Sequence, residues 1–430
     1  MADNAVNPQA TSTIILRTKK INFRLAAICL MAASVGLPIA IISIAKLLLL
    51  GCVVAVPLFA RNLPKNGATL LKTWTLPAVL AALLAFVLSL LWTVAPQEEA
   101  IGSLAKYGKL IIIIAMMALI RERREAVYAM GAFALSQLLV VAGSWLLFAD
   151  LPVAWATSRT TLSHYTVFSG YLDQGIMSAV FAAVCWHLRG LVPGRYGPQI
   201  AIAVALASLA NVFFVMVGRS GQLVGVALLS LAIMWQLPGK YRMVVALLPF
   251  LLVLALFFSS PAVRERLTLL KAEVQAYSQK QDSSTSSGVR LAFWSTAAQI
   301  IAQRPIAGAG VGSWSTEYDR LEREKNPQHK NINPGSNPHQ EYLLWGVQLG
   351  IPGMLLFAAF MLSVLRDSIK MEAPYARATQ SALLALAVAC LFNSTLYDGL
   401  IGDFFCVLIG LLLALGLSKP ADPSPLERAT

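Results

Sequence analysis

Residues 39–60 read Ile-Ala-Ile-Ile-Ser-Ile-Ala-Lys-Leu-Leu-Leu-Leu-Gly-Cys-Val-Val-Ala-Val-Pro-Leu-Phe-Ala, an apolar run broken by one charge, Lys46. A helix of about 20 such residues crosses the hydrocarbon core of a bilayer. The run is continuous and does not alternate, which excludes a strand of a closed barrel. Similar runs occupy 24–37, 74–94, 109–120, 127–149, 172–188, 198–217, 221–237, 242–259, 342–365, 378–397 and 399–417. The runs 24–37 and 109–120 are short. They extend into their flanks, or the first pair is a hairpin turning at Gly36-Leu37-Pro38. The expected fold is all-α: a polytopic integral membrane protein of about twelve transmembrane helices.

Composition agrees. Of 430 residues, 57% are apolar and 13% charged, against roughly 25% charged in an average soluble domain. The mean hydropathy is +0.67. This excludes a soluble globular enzyme, a disordered chain and an ordinary nucleic-acid-binding domain. The five cysteines, Cys29, Cys52, Cys185, Cys390 and Cys406, all lie in apolar runs. They offer neither metal spacing nor a disulfide framework and read as small core hydrophobes.

The net charge of +13 is mostly a topology signal. One set of connections carries 19 Lys and Arg, including Arg17–Arg24, Arg61–Lys72, Arg121–Arg124 and Arg366–Arg377. The short connections on the other side carry four: Lys106, Lys109, Arg159 and Arg219. The positive-inside rule then makes both termini cytoplasmic. No small-residue cleavage pattern follows the basic segment Arg17–Arg24, so no cleavable signal peptide is read there. The expected organisation is a cytoplasmic tail over 1–23, nine membrane helices over 24–259 and an outer loop over 260–341. Three more helices follow over 342–417, then a cytoplasmic tail over 418–430.

The outer loop carries ten Lys or Arg and eight Asp or Glu. An amphipathic stretch, Ala262–Gln281, leads through a Ser-rich link to a second helical stretch, Val289–Gln303. Turns are expected at Pro305–Gly310 and Asn333–Pro338. Helical periodicity and the anchors Trp294 and Trp314 argue that the loop is folded, and a loop of this length is usually functional or disordered.

Charged side chains at the outer ends of membrane helices are the candidates for chemistry. Arg219 lies in Gly218-Arg219-Ser220-Gly221, a turn too tight to hold a domain. Ser220 is placed to cap the next helix, and an arginine beside free helix N–H groups makes an anion site. An interfacial arginine reaching toward lipid headgroups is the equally sound alternative. His339 lies in Asn337-Pro338-His339-Gln340-Glu341. Asn337 as N-cap, Pro338 at the first helical position and Gln340 at the third form a capping-box pattern. That puts His339 in the first turn of the tenth membrane helix, where the positive helix end favours a neutral imidazole able to take a proton. A histidine that only packs or caps there fits the spacing as well. His164, His187, His329, Asp173 and Gln174 are weaker candidates. No carboxylate or histidine cluster has metal-ligand spacing, and no nucleotide motif is present. The glycines of Gly308-Ala309-Gly310-Val311-Gly312 follow Pro305 in a loop and do not read as a phosphate cradle.

Taken in order, the Gly218–Gly221 turn, Val289-Arg290-Leu291-Ala292-Phe293-Trp294, Arg304–Gly312 and Asn337–Leu343 resemble the O-antigen ligase and polymerase superfamily of bacterial envelopes. The resemblance covers the whole layout, and its sharp motifs span 218–346. It implies a GT-C-like membrane glycosyltransferase of the inner membrane, with its site facing the periplasm. Such a ligase moves O-antigen from undecaprenyl pyrophosphate to a sugar of lipid A–core, completing lipopolysaccharide. By motif match, Arg219 and Arg290 would bind the donor pyrophosphate and His339 would be the essential histidine. Arg159, Ser220, Gln340 and Asp398 would be secondary. The family often has Asn after this histidine, and Gln340 stands there instead. Asn393, Ser394 and Asp398 correspond loosely to polar groups at the outer end of the eleventh helix.

The chemistry fits these residues: pyrophosphate is a good leaving group, two arginines can neutralise it, and neutral histidine can deprotonate the acceptor hydroxyl. Direct displacement would invert the anomeric carbon, with no cofactor or metal. The expected partners are the lipid-linked donor, lipid A–core and membrane lipids, with no nucleic acid. An O-antigen polymerase and a protein O-oligosaccharyltransferase are the alternatives within the superfamily. A transporter would need a series of ionisable residues within its helices, and Lys46 stands alone.

Overall fold

The computed structural model describes residues 22–59, 70–156, 165–241, 286–325, 335 and 337–418. All regular structure among these residues is helical. The membrane runs appear as α1 (Phe23–Ser34), α2 (Ile39–Phe59), α3 (Thr75–Leu88), α4 (Gln97–Tyr107), α5 (Ile111–Leu119) and α6 (Arg123–Phe148). They continue as α7 (Tyr171–His187), α8 (Gly197–Ala210) and α9 (Arg219–Gln236). The loop contributes α10 (Ser286–Gln303) and α11 (Trp314–Lys325). The chain then forms α12 (Glu341–Ser368), α13 (Ala373–Ala389) and α14 (Gly399–Leu417). Among the described residues, five stretches are long and apolar enough to cross a membrane: Gln97–Leu119, Arg123–Phe148, Gly197–Val215, Glu341–Ser368 and Gly399–Leu417. Large apolar side chains such as Leu47, Leu91, Leu135 and Phe214 are exposed on the outside. A water-facing surface would not carry them in such number, and a bilayer accommodates them.

The chain is therefore a multi-pass helical membrane protein. Its post is α14, which is almost wholly buried and packs against α5, α6 and α13. Lys46, the charge inside the opening run, pairs with Asp403 of α14 at 2.6 Å. An ion pair between two elements removes the main objection to a charge at that depth.

Several boundaries differ from the sequence reading. The first pair of runs is a helical pair turning at 35–38, as one of the two readings held. The run 109–120 is the second half of a continuous helical stretch, Gln97–Leu119, so Lys106 and Lys109 belong to a helix and not to a connection. Lys109 is buried because its ammonium donates to the carbonyl oxygens of Tyr397, Asp398 and Gly399. The run 378–397 ends as a helix at Ala389. Beyond it, short polar side chains at Asn393, Ser394 and Thr395 favour local alternatives to helix. The run 242–259 and the stretch Ala262–Gln281 lie outside the described residues.

The loop helices sit on α12 through a break in that helix. Gly350, at φ 71° and ψ −163°, interrupts α12 just before Pro352. The break leaves backbone groups without intrahelical partners, and the segment 305–312 supplies them. Ala309 N–H donates to Val347 C=O (2.8 Å) and Gly310 N–H to Gln348 C=O (2.9 Å). In return Ile351 N–H donates to Pro305 C=O (2.8 Å). The glycines of this segment are thus docking residues. Gly310 has φ 90°, and a Cβ there would lie 2.2 Å from Thr93 Cα.

Replacing Gly310 by Ala should therefore cost more than backbone strain alone. Gly194 has a similar φ of 94° but open space around it. Gly194→Ala is expected to cost about 1–2 kcal/mol in left-handed strain, and Gly310→Ala distinctly more. Thermal unfolding of both variants in detergent tests this, and equal midpoints would contradict the docking role.

Candidate functional site

The segment 337–341 does not start a helix where the capping-box pattern places it. Asn337, 1% exposed, accepts the His339 N–H through Oδ1 at 2.8 Å. This Asx-type turn holds His339 at φ 52°, in the left-handed region. A histidine there cannot belong to a helical first turn, so α12 begins two residues later, at Glu341. Gln340 is the N-cap, its Oε1 accepting Leu343 N–H at 2.6 Å. Such a backbone costs on the order of 1–3 kcal/mol and persists only where its surroundings impose it.

Those surroundings are visible. Asn337 Nδ2 donates to Asp398 Oδ1 at 3.2 Å. Glu341 is fully buried, and its Oε2 accepts the N–H groups of Leu396 (2.9 Å) and Tyr397 (3.2 Å). Its Oε1 accepts the Trp345 indole N–H at 2.8 Å, and its own N–H donates to Cys390 C=O at 3.0 Å. The start of α12 is thereby fastened to the loop 390–398, which ends at Asp398, the N-cap of α14. Burial raises the Asp398 carboxyl above its ordinary value. Lys109, Lys106 and the Asn337 hydrogen bond oppose that rise.

His339 is half-buried, its ring stacked near Phe293 of α10 at 6.1 Å and 21°. Burial lowers the imidazole pKa below 6.5, and the charge of Arg290, one helical turn before Phe293, lowers it further. Both act toward the neutral form that the sequence reading expects, through burial and an arginine and not through a helix end. Neither ring nitrogen is engaged by a described side chain, so one is open to accept a proton.

Arg219 opens α9 and is exposed, with Gly218 as the N-cap. Ser220 therefore sits inside the first turn and makes no capping bond, contrary to the expectation for it. The glycines of this turn serve close packing: a Cβ on Gly221 would lie 2.7 Å from the Gly175 carbonyl carbon of α7. Asp173, in the first turn of α7, is close enough to Asp398 to feel its charge. The N-terminal ends of α7, α9, α12 and α14 thus gather at one end of the bundle. Helix N-termini carry partial positive charge and favour anions. The structure brings Arg290, His339, Gln340 and Asp398 together, and places Arg219 on the adjoining α7–α9 edge. Arg159, His164 and His329 lie outside the described residues. His187 is at the opposite end of α7, packed on Trp235.

The sequence reading puts Lys106 and Lys109 on this side but in a connection, and counts neither them nor Glu341 among the site candidates. The i, i+3 spacing of the two lysines just before an apolar run was the available signal. No group of three His, Cys, Asp or Glu residues able to hold a metal occurs among the described residues.

Residues 202–358 match a family model described as O-antigen ligase. The matched stretch runs from α8 into α12 and contains Arg219, Arg290, His339 and the glycine turn. No curated protein matches the chain. The family match supports the O-antigen ligase family, the one that the order of the motifs resembles.

The electrostatic arrangement is open to a direct test. Side-chain NMR of histidine-labelled protein should place the His339 pKa below 6.5. The Arg290→Gln variant should move it upward, because a positive neighbour is removed. A wild-type value above 6.5, or a downward movement in the variant, would contradict the geometry.

Proposed function

We propose that this chain transfers O-antigen polysaccharide from undecaprenyl pyrophosphate to a sugar hydroxyl of lipid A–core, on the periplasmic face of a bacterial inner membrane. The family match supports a glycosyltransferase-like enzyme of the ligase and polymerase type. The observation that supports the finer reading is His339 stacked near Phe293 in a left-handed turn held by Asn337, with burial and the charge of Arg290 lowering its pKa.

In the proposed reaction the acceptor hydroxyl oxygen attacks the anomeric carbon of the donor. The bond from that carbon to the pyrophosphate oxygen breaks, and its electron pair leaves with the pyrophosphate. His339 takes the hydroxyl proton through a ring nitrogen. Arg219 and Arg290, aided by the convergent helix N-termini, bind the pyrophosphate and stabilise the charge that grows on it. The prenyl tail lies in the bilayer. Displacement in one step inverts the anomeric carbon and needs no metal.

Loss of a positioned base costs about 100- to 10,000-fold. His339→Ala and His339→Gln should each lose ligation by that order in a purified assay, while donor binding persists. Arg219→Ala and Arg290→Ala should lose donor binding. Lysine should rescue them poorly, because it lacks the planar fork that reads two phosphate oxygens. In cells, deletion should leave unmodified lipid A–core and accumulate lipid-linked polymer. Near wild-type turnover by His339→Ala would end this mechanism.

The orientation is tested separately. Arg195 and Arg323 are both exposed. In a cysteine-free background, cysteine at Arg323 should react with an impermeant thiol reagent from the periplasm, and cysteine at Arg195 should not. The reverse pattern would put His339 on the cytoplasmic side.

A further inference from the structure

Between α4, the start of α11 and the outer half of α12 lies a cavity of 230 Å³. Grooves between α7, α8 and α9, and between α6, α7 and α8, are lined mainly by alanine, leucine and other apolar side chains. This cavity is different. Its wall presents Glu99, Ser103, Lys106 and Gln348, together with the rings of Trp314 and Tyr397. Sites for drug-sized ligands occupy about 300–1,000 Å³, so this volume suits a single ring better than a chain.

The polar wall is held in place. Ser103 Oγ and Tyr397 OH are hydrogen-bonded at 2.8 Å. Gln348 Oε1 accepts Gly312 N–H at 3.2 Å, and its Nε2 donates to Tyr107 OH at 3.1 Å. The Lys106 ammonium stands 4.0 Å from the Tyr397 ring centroid. The lining thus combines two aromatic side chains with a carboxylate, an ammonium, a hydroxyl and an amide, and offers both donors and acceptors. A simple anion would meet Glu99, and a simple cation would meet Lys106. A sugar ring, with hydroxyls that donate and accept and with apolar C–H faces, matches the whole set.

Two routes join the cavity to the His339 turn. Trp314 packs edge-on against Phe293 at 5.5 Å, and Phe293 stacks on His339. Tyr397 precedes Asp398, whose carboxylate holds Asn337 and through it the His339 backbone. Arg219 stands at the start of α9, on its edge with α7. A saccharide seated in the cavity therefore touches elements that hold the His339 turn, apart from the α7–α9 edge that carries Arg219.

We infer that this cavity holds one sugar ring of the acceptor saccharide, an inference that rests on the transferase reading of the His339 site. Lys106 and Glu99 bind its hydroxyls, and the buried Trp314 and Tyr397 side chains close the wall behind it.

The test uses the full-length purified protein and, as probe, deacylated lipid A–core oligosaccharide. Binding is read calorimetrically and acceptor KM is read in the ligation assay. Lys106→Ala removes a charged donor, Glu99→Gln a charged acceptor, and Ser315→Trp fills the lining at a half-buried position. Loss of one charge-assisted hydrogen bond corresponds to about 10- to 100-fold. Each variant should weaken probe binding and raise acceptor KM by at least about tenfold, with donor KM unchanged. Arg219→Ala should still bind the probe. If Ser315→Trp does not fold, the two polar variants decide the matter. Unchanged probe binding and acceptor KM in both polar variants would overturn the cavity while leaving the transferase reading intact. Probe binding with the expected variant losses but no ligation by the wild type would support a saccharide site and sink the transferase reading instead.

Discussion

A helix broken at membrane depth must find partners for the backbone groups it frees, and that requirement organises the end of the bundle at which α12 begins. An unpaired buried carbonyl or amide costs about 1–3 kcal/mol in a protein interior, and lipid offers nothing in exchange. The break at Gly350 presents such groups, and the 305–312 segment is shaped to meet them with three backbone hydrogen bonds. The same segment reaches the α3–α4 connection as well, because Val94 N–H donates to Ala309 C=O at 3.0 Å. Since α10 ends just before this segment and α11 begins just after it, both are carried onto α12. Arg290 and Phe293 come to His339 from one side of the docking point. Trp314 comes to the polar cavity from the other.

A second tie works at the top of α12. The Glu341 carboxylate gathers two backbone amides and an indole, which is close to the full capacity of its two oxygens. A buried carboxylate is costly unless its lone pairs are used. Here they hold the 390–398 loop against the helix start. Asn337 then links that loop to the His339 backbone through Asp398. The left-handed His339 is therefore clamped by groups on three chain segments, which is the over-determination that a strained residue needs.

Much of the bundle was legible because a continuous apolar run of membrane length has few other stable conformations. The boundaries that failed did so for local reasons. Gln97–Lys106 is amphipathic and carries Glu98 and Glu99, so hydropathy assigned it to a connection, although the helix continues through it. The helix α11 was missed because its buried stripe, Trp314, Glu317, Tyr318 and Leu321, contains a carboxylate. Only the ion pairs of Glu317 with Arg304 (3.3 Å) and Arg320 (2.7 Å) make that burial tolerable, and those pairs are not visible in spacing. The start of α12 was misplaced because Asn, Pro and Gln serve a capping box and an Asx turn equally well. The sequence held the residues of the site; the tertiary partners Asp398 and Phe293 decided their backbone.

The pairing of a neutral histidine with an arginine has a consequence for the proposed reaction. Without an anion nearby, Arg290 makes protonation of His339 less favourable, so the ring is ready to accept but is a weak base. A pyrophosphate bound at Arg290 offsets that positive charge, and its field favours the imidazolium that forms when the acceptor proton is taken. Negative charge on the leaving group grows as the proton moves, so the two developing charges stabilise each other in a partly dehydrated site. The base then strengthens when the donor is in place and weakens when it is absent. A solvated histidine on an isolated helix end would lack that coupling, because water would screen the arginine and the pyrophosphate alike.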